Sequence, residues 1–170
     1  MNTGTIKPPD ERIAALRAEV EAYEERNAVP RPMVPGPEGE LTEYLTMDRK
    51  VLAKKTGEDC AEIACRLAQF SLYIQRLINE EKADLGWANA VMNDVCAGQL
   101  GNYDKYMKHE VKMSLIVKEN SYAANVYKII LEIQGRISRL EHLARSIGSL
   151  ADKLERLQFA KNATIKQSGG

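Results

Sequence analysis

The stretch Ala123–Lys161, AANVYKIILEIQGRISRLEHLARSIGSLADKLERLQFAK, decides how the chain folds. Val126, Ile130, Ile133, Ile137, Leu140, Ala144, Ile147, Ala151 and Leu154 recur by fours and threes, an a/d series that only an α-helix gathers on one side. Ile129, Leu143, Leu150 and Leu157 add a third apolar column, so the stripe is broader than a two-stranded coil needs and suits a bundle or an assembly of copies. Arg136 falls in that third column, where an ion pair between subunits or an inner channel would accommodate it. Gly135 and Gly148 each cost about 1 kcal/mol against Ala in a helix interior, tolerable if they admit close packing or a bend.

A second long helix is expected upstream. Between Glu58 and Ala97, Ile63, Leu67, Phe70, Ile74, Leu77, Ala88, Val91, Met92 and Val95 keep helical spacing, with Glu81 and Asp84 interrupting the stripe. At 1.5 Å per residue such a helix spans about 60 Å. Two long helices joined by a short insert imply an antiparallel hairpin, and stripes of that length favour self-assembly. The expected class is therefore all-α: a long antiparallel hairpin or bundle with short additional helices, oligomeric through Ile130, Ile133, Ile137, Leu140, Ile147 and Leu154. Residues 103–119 suit a helix through Tyr106, Met113 and Ile116, yet Val111–Leu115 alternates like a strand; helix is favoured by context alone.

Before the main domain, Asp10–Asn27 carries Ile13, Leu16, Val20 and Tyr23 at helical spacing, with Asp10 as the expected N-cap. Ala28–Glu40 then holds Pro30, Pro32, Pro35 and Pro37, which break any helix and keep the chain extended. The division expected is residues 1–40 as helix and linker, 41–162 as helical domain and 163–170 as flexible tail. So thin an apolar stripe on a tether should be peripheral, docking on a partner or a neighbouring subunit, or fraying.

Of the 170 residues, 24 are basic and 24 acidic, but residues 1–100 carry 12 Lys/Arg against 17 Asp/Glu and residues 101–170 carry 12 against 7. The halves are −5 and +5. Neutrality excludes nucleic-acid binding driven by bulk charge and leaves room for a local basic surface in the C-terminal part. No run of apolar residues approaches the roughly 18 of a membrane span, and the N-terminus lacks a secretory pattern, so a cytoplasmic location away from membranes is expected. Cys60, Cys65 and Cys96 lack CxxC spacing, and His109 and His142 stand apart from them, which disfavours a locally built zinc site. GxSxG, HExxH, Walker and Rossmann patterns are missing, so a non-catalytic protein without cofactor is expected. Gly98-Gln-Leu-Gly101 has GxxG spacing without flanking cations or strands and reads as a turn.

Two surfaces combine cations with aromatic rings or a helical face. Lys105, Tyr106, Lys108 and Lys112 form one, with Tyr103, His109, Lys118, Tyr122 and Tyr127 nearby. Lys128, Arg139, Arg145, Lys153 and Arg156 form the other, on the last helix away from its apolar seam and diluted by Glu132 and Asp152. Tyrosine rings stack on unpaired bases while ammonium and guanidinium groups neutralise phosphates, the combination single-strand binders use; the alternative is a solvated face with interfacial tyrosines, and the spacing does not rank DNA over RNA. Trp87, in a stretch free of Lys and Arg from residue 83 to 104, is expected to pack in a core or interface. Met92, Met107 and Met113 read as core filler.

Leu41-Thr-Glu-Tyr-Leu45, Asp48, Glu62-Ile-Ala64, Leu72-Tyr-Ile-Gln-Arg-Leu77, Tyr106-Met-Lys-His-Glu-Val-Lys-Met113 and the closing helix with Leu140 and Ile147-Gly148 resemble the UvsY family of phage recombination mediators. The resemblance covers about residues 41–160, chiefly in apolar spacings. It implies an all-helical homo-oligomer, arranged as a ring, that binds single-stranded DNA and contacts a RecA-like recombinase and a single-strand-binding protein. The family carries DNA-binding cations near the end of its first long helix, and Trp87–Gln99 has none, so those roles do not transfer. The alternative is a structural or adaptor protein, such as a virion, packaging or scaffold component, whose basic face meets an acidic protein.

Overall fold

The computed structural model describes residues 7–168, with side chains up to residue 164. It is all-α: α1 Pro9–Arg26, α2 Glu40–Thr46, α3 Arg49–Lys54, α4 Gly57–Ala97, α5 His109–Glu119 and α6 Ser121–Ser168, plus a 3₁₀ turn at Leu100–Asn102. Among the described residues there is no strand. α5 resolves the ambiguity of residues 103–119: His109 onward is helix, while Tyr103–Lys108 is turn and bend. α6 continues through Ser168, past residue 163 where a flexible tail was expected, and Gly169 and Gly170 lie outside the described residues.

Local chemistry explains the breaks. Thr56 and Asp59 form a capping box at the head of α4: the Asp59 backbone N–H donates to Thr56 Oγ1 at 3.0 Å, and the Thr56 N–H donates to Asp59 Oδ2 at 2.7 Å. The Thr56 backbone N–H, and then the Thr56 hydroxyl, stabilise the ionised Asp59 carboxyl and hold it below its usual range. Asn120 Oδ1 accepts from the Ala123 N–H at 3.0 Å just ahead of α6, and Asp48 caps α3 by accepting from the Lys50 N–H at 2.6 Å. Lys161 on α6 donates to the carbonyls of Leu52 and Ala53 at 3.2 and 3.0 Å, and to that of Lys55, closing the C-terminal end of α3. Gly36 and Gly39 both take positive φ, +71° and +89°, and turn the chain into α2.

The described chain forms two compact units, and both long helices contribute to each. The first joins the chain up to Arg31 with Glu80–Ile137, and the second joins Pro32–Asn79 with the chain from Ser138 onward. In the first unit Ala88, Val91, Met92 and Cys96 of α4 pack with Ile116 of α5 and Ala123, Val126 and Ile130 of α6. In the second, Cys60, Ile63, Ala64, Leu67, Phe70, Ile74 and Ile78 pack with Ile147 and Leu154. Each large aliphatic side chain buried this way contributes about 1.5–3 kcal/mol.

Three expectations change. Ile130, Ile133, Ile137, Ile147 and Leu154 are buried inside the chain itself, and half-buried Leu140 packs on the second core. These positions, assigned to contacts between copies, are thus covered within the chain, and α4 residues pack with Ile130 in the first core and with Ile147 and Leu154 in the second. Arg136, expected to pair between subunits or face an inner channel, pairs with Glu81 at 2.9 Å in its own unit. Asp10 is not the N-cap of α1: Pro8 holds that position and Pro9 starts the helix, since a proline loses nothing where the first N–H groups are unpaired anyway.

α1 itself is docked on its own unit. Arg17 Nε donates to Asp84 Oδ2 at 2.8 Å, a second Arg17–Asp84 bond completes the fork, and Glu81 lies 3.6 Å from the guanidinium. The bond to Asp84 raises the Arg17 pKa further. Arg12 lies over the Trp87 ring, 5.2 Å from its centroid, and donates to the Tyr122 hydroxyl at 2.9 Å. Asp84, which interrupts the apolar stripe of α4, is 2% exposed and finds its counter-ion here.

Candidate nucleic-acid interface

In the second unit the outer face of α6 is basic. At roughly 100° per residue, Arg139, His142, Arg145, Ser149, Lys153 and Arg156 fall within an arc of about 120°, turned away from buried Ile147 and Leu154. Leu45 of α2 stands beside this face. With Leu45 and Leu150, the side chains of His142, Arg145, Ser146, Ser149 and Lys153 line an open groove of about 420 Å³. Among the described residues Arg139, Lys153 and Arg156 have no ion-pair partner, so their charges face solvent. Arg145 Nε reaches the Glu141 carbonyl at 3.3 Å, and Ser146 Oγ donates to the His142 carbonyl at 3.1 Å. Guanidinium, ammonium and hydroxyl donors around a shallow apolar floor can take phosphate oxygens and leave room for a sugar or base.

The first unit carries the other predicted patch. The turn before α5 holds Lys105, Tyr106 and Lys108, all exposed, and Tyr106 is 83% exposed. Asp104 shapes this turn by accepting from the Tyr106 N–H at 2.9 Å, and Lys105 Nζ lies 5.0 Å from the centre of the Tyr106 ring. Lys112 is half-buried on α5. Beside it, Met92, His109, Glu110, Met113, Ser114, Val117 and Tyr127 surround a groove of about 430 Å³. Lys128 sits on α6 with Glu132 Oε1 at 3.8 Å, a pair exposed on both sides that holds its cation only weakly.

Not every aromatic residue of the predicted surface is available. The Tyr103 hydroxyl donates to Glu119 at 2.7 Å, a bond that raises its pKa, and Tyr122 is engaged by Arg12. Tyr106 and Tyr127 keep exposed rings. Ser146, Ser149 and Leu45 join the groove of the second unit although nothing singled them out beforehand. The available signal was the 142/146/149/153 spacing on α6, which repeats the three- and four-residue step of the buried seam on the opposite side.

Among the described residues no three His, Cys, Asp or Glu side chains gather as a metal would require. Cys60 and Cys96 are buried, and burial pushes the Cys96 thiol up, while Cys65 is exposed. No described helix is long and apolar enough to cross a membrane. Comparison with known protein families, with curated proteins and with solved structures finds no match.

Proposed function

We propose that this protein is a non-catalytic accessory factor that binds single-stranded DNA through the outer face of α6 and through Lys105 and Lys108 of the turn before α5 with Lys112 of α5. The observation carrying this is the unpaired basic face: Arg139, Lys153 and Arg156 stand unneutralised beside the groove of Arg145, Ser146 and Ser149. The two patches divide the labour, with guanidinium and hydroxyl donors on one and an exposed tyrosine ring among lysines on the other. The resemblance to recombination mediators extends the proposal: α4 and α6 form the long antiparallel pair, copies assemble so that weak contacts add, and the bound strand is passed to a RecA-like recombinase in the presence of a single-strand-binding protein.

The test is fluorescence anisotropy of a labelled oligo-dT strand at several salt concentrations. Binding should weaken steeply with salt, with a log–log slope of about −0.7 for each phosphate neutralised. Arg145→Ala with Lys153→Ala should lower the slope by about one to two units, and Lys105, Lys108 and Lys112 changed together to Glu should abolish binding. Absence of binding at low salt would refute the proposal and favour the adaptor alternative.

A further inference from the structure

α1 is held to its unit chiefly by polar contacts. Pro9 alone of its 18 residues is buried, and Ile13 and Leu16 are only half-buried. Gaps remain on both sides of it: one of about 80 Å³ bordered by Leu16, Val20 and Ala83, and one of about 280 Å³ bordered by Ile13, Ala14 and Ile129. Close packing therefore does not lock the helix in place. What fixes it is charge: Arg17 on Asp84 and Glu81, and Arg12 on Trp87 and Tyr122.

The receiving groove is acidic and aromatic, and its chemistry selects an arginine-bearing helix. Carboxylates take the guanidinium fork, and an indole face takes a guanidinium plane. Asp84 has a side chain 3% exposed, and among the described residues its ion-pair partner is Arg17, so the groove strongly requires a cation. The segment from Ala28 to Gly39 contains no helix and four prolines, a semi-rigid spacer whose Arg31 bonds back to Glu24 and the Glu21 carbonyl of α1 and whose Pro32 carbonyl accepts from Arg76. The complementary helix is present on every copy of the chain, and exchange of an identical element reproduces each native contact without a new surface.

We propose that the groove of Glu81, Asp84, Trp87 and Tyr122 is a docking surface between copies of this chain, taking the Arg12/Arg17 face of a second copy's α1 in exchange for its own. This inference goes beyond strand binding and does not depend on it. The closed arrangement prevails while the tether's effective concentration exceeds the protein concentration, and exchange takes over when intrachain docking is weakened.

Full-length Arg17→Glu and Asp84→Arg chains test it. Each variant repels its own α1, but the Arg17-bearing α1 of the Asp84→Arg chain fits the native groove of the Arg17→Glu chain. Native mass spectrometry of the mixture should show a 1:1 hetero-species exceeding either homodimer at least several-fold. Monomers alone, or hetero- and homodimers in statistical proportion, would overturn the proposal. If Asp84→Arg does not reach native helical ellipticity, Glu81→Lys at the more exposed neighbouring position takes its place, with the same two outcomes.

Discussion

Replacing Arg17 by Ala isolates the contact that seats α1. The wild-type pair is asymmetric: the Asp84 side chain is 3% exposed and that of Arg17 is 47% exposed. Pairs exposed on both sides contribute about 0–1 kcal/mol, whereas removing one partner of a fully buried pair costs about 3–5 kcal/mol because it strands a charge. Arg17→Ala falls between these limits. It strands Asp84 only while α1 stays in place; if α1 lifts, water reaches the carboxylate, so the loss cannot exceed the docking free energy of the helix. A destabilisation of about 1–3 kcal/mol is expected, equivalent to roughly 2–12 °C in Tm for a chain of this size. Urea denaturation followed by far-ultraviolet circular dichroism reads it. Arg17→Ala combined with Asp84→Leu should recover most of the loss, because the buried position then holds no charge and continues the apolar stripe of α4. A change below about 0.5 kcal/mol in Arg17→Ala, or no recovery in the double variant, would refute the claim that Asp84 depends on Arg17.

Gly86, Gly135 and Gly148 lie within α4 and α6, and a methyl group added at each meets nothing within 4 Å, so close helix approach does not explain them. Changing each to Ala should stabilise the protein by about 0.5–1 kcal/mol, read as a rise in Tm; a fall would mean that the glycine serves packing after all. Lys161→Met leaves three carbonyls at the C-terminal end of α3 without their shared donor and should cost about 1 kcal/mol in the same assay. Burial, and then the 2.6 Å bond donated to Glu40, push the Tyr44 hydroxyl up to about 12. The folded state therefore holds this proton more tightly than the unfolded state. Its contribution is fully present below about pH 10 and declines as pH rises from 10 to 12, so Tyr44→Phe should flatten the alkaline loss of stability measured by urea denaturation.

The sequence by itself determined the helical class and the positions of both long helices, because their apolar residues repeat over many turns and leave no other period that buries them. It also located the proline break and the surface cations on α6, since a residue opposite a sustained seam has nowhere to point but outward. What the seam packs against was decided only by tertiary structure. A periodic stripe states that Ile133 and Ile147 must be covered, not whether another copy or residues of α4 in the same chain cover them, and here the same chain does. The role of Asp84 was decided in the same way. In sequence it is a flaw in an apolar stripe, and it becomes an anchor only when Arg17, 67 positions away, is brought to it. Hydrophobic periodicity is local and repeated, so it survives in the linear order of residues. A single ion pair between distant segments leaves no period behind, and neither does the gathering of Leu45, Arg145 and Lys153 around one groove.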